Sequence, residues 1–453
     1  MATLPPPRLA KRFNVPTPRY TSYPTALGFE DVDADEVWSR ELREDSDAPV
    51  SLYFHLPFCR KLCWYCACSK TITKNQARSG EYLQRLLREL ELKRERLKGR
   101  ELVQLHLGGG TPSFFTGEEL YELVARSREL LNARADAEFS IEIDPRELSE
   151  QQVQWLARAG FNRASLGVQD HAPSVQKIIN REQPYEMTRN AVQWLREAGI
   201  GSVNFDLVYG LPGQTTESFQ QTMNDIMELR PERLAVYSYA HVPWVAPAQK
   251  LLERARIPGP DEKLALFDIA AENLLDAGYE FVGMDHFALP DDELAVSSRE
   301  NRLHRNFMGY TTRPDAELHG LGATAISQTD GQYFQNEREL QDWEQRIDAG
   351  ELPIVKGVQL NEEDQRRRAI IMAIMCRTAF RFAELRGIDS AHSFEEDFAD
   401  ELDALDEFVK AGLVERTAHG LKILPTGRFF VRNIARVFDA YSSAHKDRFS
   451  KAV

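Results

Sequence analysis

From residue 51 to about residue 290, short apolar runs alternate with longer segments of helical periodicity, and no other feature restricts the fold of this chain so strongly. SLYFHLPF (51–58), LVQLHLG (102–108), AEFSIEI (137–143), RASLGVQ (163–169), SVNFDLVYG (202–210) and RLAVYSYA (233–240) each end near a polar or glycine-bearing turn. EFVGMDHF (280–287) adds a further candidate strand. Between them YLQRLLRELELKRERL, GEELYELVARSRELL, TRNAVQWLREAG and ESFQQTMNDIMEL carry apolar residues at helical spacing with charged opposite faces. Repeated βα units build a parallel sheet with helices outside, and six in succession curl it toward a barrel. The expected class is α/β, a partial (β/α)6-type barrel one or two units short of eight.

With 453 residues the chain exceeds the size of one hydrophobic core, so further segments are expected around a barrel over 51–290. Residues 1–50, with PRYTSYPTALGF too rich in proline and tyrosine for a helix, read as an irregular cover across the barrel mouth. Residues 291–355 read as a connecting region that closes the site. From 356 to 453 RRRAIIMAIMCRTAF, FADELDALDEFVKAG and FFVRNIARVFDAY read as helices and LVERTAHGLKILPTG as a hairpin, a mainly helical, winged-helix-like domain. Its acidic FEEDFADELDALDE favours a packing role over nucleic-acid binding. The formal charge of -14 argues against nucleic acid or an anionic membrane as general partner. The start MATLPPPRLAKRF lacks the apolar core of a signal peptide, and no stretch approaches the ~20 apolar residues of a membrane span, which points to the cytoplasm.

Four of the five cysteines, Cys59, Cys63, Cys66 and Cys68, fall within ten residues. Such crowding is no disulfide framework; in a reducing compartment it marks metal or redox chemistry. Cys59, Cys63 and Cys66 have the spacing C-x3-C-x2-C directly after the first strand, which puts three thiolates over the C-terminal face of the barrel. Three thiolates can hold three irons of a [4Fe–4S] cluster and leave the fourth iron open. A structural zinc on all four cysteines is the alternative, although such sites usually split their ligands into two separated pairs. Cys376, in AIIMAIMCRTAF, reads as a buried structural thiol.

Gly108-Gly109-Gly110-Thr111-Pro112 follows the second strand, where missing side chains let a bulky ligand approach the backbone. Glu142, Gln169 and Asp206 stand at strand ends, where polar side chains converge on a barrel mouth, and Arg181 offers a bidentate partner for a carboxylate. Asp144 and Asp170 fit loop capping better.

A cysteine triplet so placed resembles the signature of the radical S-adenosylmethionine (SAM) superfamily. Further motifs narrow the resemblance. YFHLPFCRKLCWYCACSK, HLGGGTPSFF, SIEIDPREL, SLGVQD, INREQ, NFDLVYGLPGQT, GMDHFALPDDELA and HRNFMGYTT are similar, over essentially the whole chain, to the oxygen-independent coproporphyrinogen III oxidases. The resemblance implies oxidative decarboxylation of two propionates of coproporphyrinogen III to vinyl groups, giving protoporphyrinogen IX in haem synthesis. It further implies a [4Fe–4S] cluster on Cys59, Cys63 and Cys66, a cluster-bound SAM against Tyr53, Gly109, Glu142 and Ile326, and a second SAM against Gly110, Thr111, Gln169, Arg181, Asp206 and Ala240. Cys68 completes the C-x-C extension of this family, with either a substrate-side role or a packing role. Arg19, Lys70 and Arg305 are the candidate cations for a substrate with four carboxylates. His55, Tyr20, Tyr23, Asp285 and His286 are motif residues to which sequence assigns no role. A flavodoxin- or ferredoxin-type electron donor, an acceptor of unknown identity and a monomeric state complete the expectation. Competing readings are a haem-delivery protein of the same superfamily and a radical enzyme acting on another substrate.

Overall fold

The computed structural model describes residues 4–44, 46–385, 394–417 and 419–442; the rest of the expected segments at 1–50 and 356–453 lies outside the described residues. Six strands, β1 (Val50–Leu56), β2 (Glu101–Gly109), β3 (Asn132–Ile143), β4 (Arg163–Gln169), β5 (Ser202–Tyr209) and β6 (Arg233–Ser238), lie side by side in chain order. Each pairs in parallel with the next. Parallel strands are covered on both faces, which is why VSLYFHL in β1 is buried at every position but Tyr53. The crossovers are α1 (Ala77–Leu92), α2 (Gly117–Leu130), α3 (Glu150–Ala159), α4 (Tyr185–Glu197) and α5 (Thr216–Leu229), with α6 (Pro260–Asp276) after β6. Their starts are fixed locally: Thr116 and Glu119 close a reciprocal cap on α2, and Thr215 and Ser218 do the same on α5.

Beyond these units the structure departs from the pattern read in the sequence. EFVGMDHF is not one strand but a tight antiparallel hairpin, β7 (Glu280–Gly283) and β8 (His286–Ala288), turning at Met284 with φ 55°. The connecting region over 291–355, which carried no strand signal, supplies β9 (Glu317–Leu321), β10 (Ile326–Gln328) and β11 (Gln332–Asn336), followed by β12 (Ile354–Gln359). β9 pairs in parallel with the free side of β1, Gly320 beside Tyr53, and the others continue the same thirteen-stranded sheet as an antiparallel meander. Strands this short, one of them interrupted by Gly320, do not stand out from loop sequence.

The N-terminal segment is less irregular than its composition suggests. Helices span Pro7–Phe13 and Ala34–Arg43; Asp33 caps the second, with acidic residues in its first turn and Arg40 and Arg43 in its last. Between them the PRYTSYPT stretch is clamped to the C-terminal region: Tyr20 donates to Asp439 at 2.9 Å, Asn433 donates to the Phe13 carbonyl at 2.8 Å, and Arg432 donates to the Thr17 and Pro18 carbonyls. The C-terminal region pairs Ala379–Arg381, Gly420–Ile423 and Val414–Thr417 in a small sheet with short helices around it. FADELDALDEFVKAG is two short helices, Ala399–Ala404 and Asp406–Lys410, rather than one. Closely spaced acidic residues there repel along a continuous helical face.

Candidate active site

The cysteine loop springs from the C-terminal end of β1 and is braced from every side. Phe58–Cys59 pairs in parallel with Thr71–Ile72, closing the loop on itself. Lys70 donates to the carbonyls of Cys66 and Cys68 at 3.1 and 3.0 Å. Asn180 donates to the Leu62 carbonyl at 2.8 Å, and Gln249 donates to the Tyr65 carbonyl at 2.8 Å. Lys70, expected among the substrate cations, uses two of its three donors on this loop.

Donors and cations surround the sulfurs. Thr111 lies 3.2 Å from Cys59 Sγ, and Cys63 Sγ accepts from Arg146 at 3.4 Å and Arg181 at 3.6 Å. A hydrogen bond from Cys68, with Lys70 nearby, brings the Cys66 thiol down to about 6, while burial pushes Cys59 up to about 11. Positive groups and N–H donors favour thiolates and anionic metal centres. Among the described residues no three Cys, His, Asp or Glu side chains are drawn together as a single-ion site would require. The thiolates of a four-iron cube sit farther apart, on different irons, and the donor set of Cys59, Cys63 and Cys66 fits that larger group.

The glycine turn after β2 rides directly on this loop. Gly110 N donates to the Leu56 carbonyl and Thr111 N to the Phe58 carbonyl, both at 2.9 Å. A Cβ on Gly110 would stand 2.5 Å from the Pro57 backbone, and one on Gly109, at φ 114°, 2.6 Å from the His55 ring. Gly109 N donates to Glu142 Oε2 at 3.1 Å.

A cavity beside the turn is lined by Tyr53, His106, Glu142, Phe307, Met308 and Ile326, among others. Tyr53 stacks on His106 with centroids 5.9 Å apart, and His106 reaches Ser140 at 2.8 Å and Glu142 at 3.5 Å. Burial opposes ionisation of Glu142, but the hydrogen bonds from His106 and Gly109 prevail and hold its carboxyl below the usual range. Burial takes His55 down to about 4, so it is neutral; its Nε2 donates to the Ser69 carbonyl at 3.2 Å and its Nδ1 accepts from Tyr53 at 3.0 Å. His106 escaped the sequence reading, although a histidine two residues before the glycine turn is a strand-end polar residue like Glu142.

Thr111, Gln169, Arg181 and Asp206 sit on neighbouring strand ends and loops. Gln169 has a left-handed backbone, φ 66°. The carboxylate held by Arg181 is Asp144 of the same chain, at 3.0 Å; its Nη2 donates to the Gly167 carbonyl and its buried Nε has no hydrogen-bond partner. Asp144 also takes Arg146, at 2.6 Å, so the two arginines that reach Cys63 share one carboxylate. The Ala240 carbonyl accepts from Gln249 at 3.2 Å. Asp206 accepts from Ser165 and Asn204 at 3.0 Å each, yet burial and the nearby Glu142 raise its carboxyl to about 7. A group that titrates near 7 folded and near 3.8 unfolded contributes stability below about pH 4 that is lost as pH rises through 7. Asp206→Asn should accordingly melt several degrees above the native chain at pH 8 and close to it at pH 4, in thermal scans under reductant.

On the β8 side, Arg19 pairs with Asp285 and lies over Tyr237, 5.4 Å from the ring centroid. Burial works against Asp285 ionisation, but Arg19 and His286, the latter 2.7 Å away, hold it far below the carboxylate range. Arg305 is buried, donates to the Arg19 carbonyl at 3.1 Å and has Nη1 without a hydrogen-bond partner. Tyr20 and Tyr23 are buried, away from the cysteine loop, on Asp439 and the Ala440 N–H.

Comparison with known proteins places this geometry. Residues 53–226 match the radical SAM superfamily and residues 360–430 the HemN C-terminal domain. The oxygen-independent coproporphyrinogen III oxidase of Escherichia coli K12 is 40% identical over 98% of both chains, and that of Pseudomonas aeruginosa is 42% identical with the same coverage. The chain belongs to the oxygen-independent coproporphyrinogen III oxidase family. The solved E. coli coproporphyrinogen III oxidase (HemN), described as a radical SAM enzyme, superposes with a TM-score of 0.91 at 38% identity, covering 97% of this chain and 99% of that one. Membership in this radical SAM family brings a [4Fe–4S] cluster and SAM as cofactors, which agrees with the cation-ringed sulfur donors. Among the described residues no helix of this family member is long and apolar enough to cross a membrane.

Proposed function

We propose that this protein converts two propionate side chains of coproporphyrinogen III to vinyl groups without oxygen, yielding protoporphyrinogen IX. The observation that carries the reading is one continuous arrangement. Cys59, the first of three cysteines on the β1 loop, meets Thr111 of the glycine turn, and Gly109 of the same turn meets Glu142 in a cavity that also bears Tyr53 and Ile326. Cys59, Cys63 and Cys66 hold the cluster, and Tyr53, Gly109, Glu142 and Ile326 hold the SAM bound to it. When bound and reduced, the cluster supplies the electron that cleaves SAM to the radical that takes a hydrogen atom from a propionate β-carbon.

The residues of the chain bind and orient. Glu142, anionic and fixed by Gly109 N–H and His106, presents acceptors to an amino group. Asp206, raised to about 7, stays partly protonated, and with Gly110, Thr111, Gln169, Arg181 and Ala240 it frames room for a second SAM. Arg19 and Arg305 face substrate carboxylates from the β8 side, and Lys70 does so from the cysteine loop. Cys68, exposed and hydrogen-bonded to Cys66, stands at the substrate side of the loop. A flavodoxin- or ferredoxin-type protein delivers the electron, an external acceptor removes the one left after decarboxylation, and the chain works as a monomer in the cytoplasm.

Anaerobic reconstitution with iron and sulfide, followed by SAM, reductant and coproporphyrinogen III, tests the reading. Substrate loss should accompany release of carbon dioxide and 5′-deoxyadenosine. Stable haem binding with no turnover would replace it with a delivery role.

A further inference from the structure

Helix α1 buries a complete ion pair that takes no part in the chemistry above. Glu89 and Lys93, one turn apart, have fully buried side chains, with Nζ 3.0 Å from Oε1. A buried pair stabilises a fold little better than well-packed apolar side chains would, so its retention calls for a conformational reason. The partners supply one. Glu89 Oε2 accepts from Gly322 N at 2.8 Å and from the Trp343 indole at 3.1 Å, and Oε1 accepts from Asn336 at 2.8 Å. Lys93 donates to the Gly320 carbonyl at 2.7 Å.

Two of these contacts, to Gly320 and Gly322, lie on the turn from β9 to β10, and Asn336 is tied to the same turn by donating to the Gly322 carbonyl at 2.9 Å. That turn holds one strained residue: Thr324, which is β-branched, has φ 67°, whereas Gly322 takes its φ of 97° freely. Left-handed threonine is an outlier that persists only where surrounding groups over-determine it. Tyr82 adds a further tie, donating to the His55 carbonyl at 2.9 Å while accepting from Ala323 N at 3.0 Å. Thr324, Ala325 and Ile326, which emerge from this turn, line the same cavity as Glu142.

We propose that the Glu89–Lys93 pair is a positioning element for the cofactor cavity, holding the Gly320–Ile326 turn in its strained form so that this lining fits SAM. The proposal rests on the reading of that cavity as the SAM site. Removing the carboxylate releases the turn and weakens SAM binding without touching the sulfur donors.

Glu89→Gln keeps the shape but turns one acceptor into a donor facing other donors. In the reconstituted holoenzyme its KM for SAM should rise about tenfold, as outer-shell substitutions commonly do, with kcat within about threefold and iron content unchanged. Titrating SAM into the reduced enzyme and following the electron paramagnetic resonance signal of the cluster should show the same shift in half-saturation. Trp343→Phe, which removes one donor and keeps an aromatic ring, should shift half-saturation in the same direction by about threefold and serves if Glu89→Gln does not fold. Unchanged SAM half-saturation, with only kcat or melting temperature lowered, overturns the proposal. Native enzyme that forms no 5′-deoxyadenosine would instead overturn the reading of the site.

Discussion

Cys63→Ala is expected to yield a folded protein that reconstitutes without the broad visible absorption of an iron–sulfur cluster and releases no 5′-deoxyadenosine. Cys63 is buried, and its sulfur is where Arg146 and Arg181 both point. Without it, two of the three proposed ligands remain, and the two guanidiniums paired with Asp144 lose their shared sulfur. Ligands that act as a unit do not lose activity in proportion, so turnover should fall by about three orders of magnitude or more. Cys376→Ala supplies the contrast: that thiol is buried on the helix Glu362–Cys376 and pushed up to about 12 by desolvation, and its loss should leave iron content and turnover unaffected. Bleaching of the visible spectrum in both variants would remove the special standing of Cys63.

Gly110→Ala should be nearly as damaging by a different route. The added methyl meets the Pro57 carbonyl carbon and oxygen at 2.5 Å, and these backbone atoms cannot rotate away. Either β2 or the start of the cysteine loop must move, breaking the Leu56 and Phe58 hydrogen bonds that join them. Overpacking of this kind costs about 1–3 kcal/mol. The displacement falls on Cys59 and Thr111 together, so iron incorporation should drop along with melting temperature. A variant with native iron content and native stability would show that the turn has slack the structure does not display.

The parts of the fold that were legible in the sequence are those with a local pattern. β1 to β6 alternate with segments of helical periodicity whose apolar stripe is clear, although β4 and β5 are buried only at alternate positions over much of their length. The cysteine loop was legible because ligand spacing is local. What escaped was set by tertiary partners. β9 is five residues long and gains its place only by lying against β1. EFVGMDHF breaks at the left-handed Met284, and Gly283 and Asp285 on either side of it are turn residues that a reading as one strand passes over. Lys70 looked like a free cation because its acceptors are backbone carbonyls, which sequence does not show. Arg181 and Asp144 were each visible as polar residues after strands, but their mutual pairing became apparent only in three dimensions.

Because β9 lies against β1, a nascent chain leaving the ribosome can assemble β1 to β6 long before that flank is covered. The Gly320–Ile326 turn is synthesised late, and the tie from Tyr20 to Asp439 joins residues 419 apart. Long-range closures of this sort are slow and leave partly folded chains open to aggregation. Chains stopped short of residue 317 would expose the bare edge of β1 and carry the cysteine loop without the Thr324–Ile326 lining of the cavity. The order of synthesis thereby delays completion of the proposed co-substrate cavity until residues 320–326 have been made.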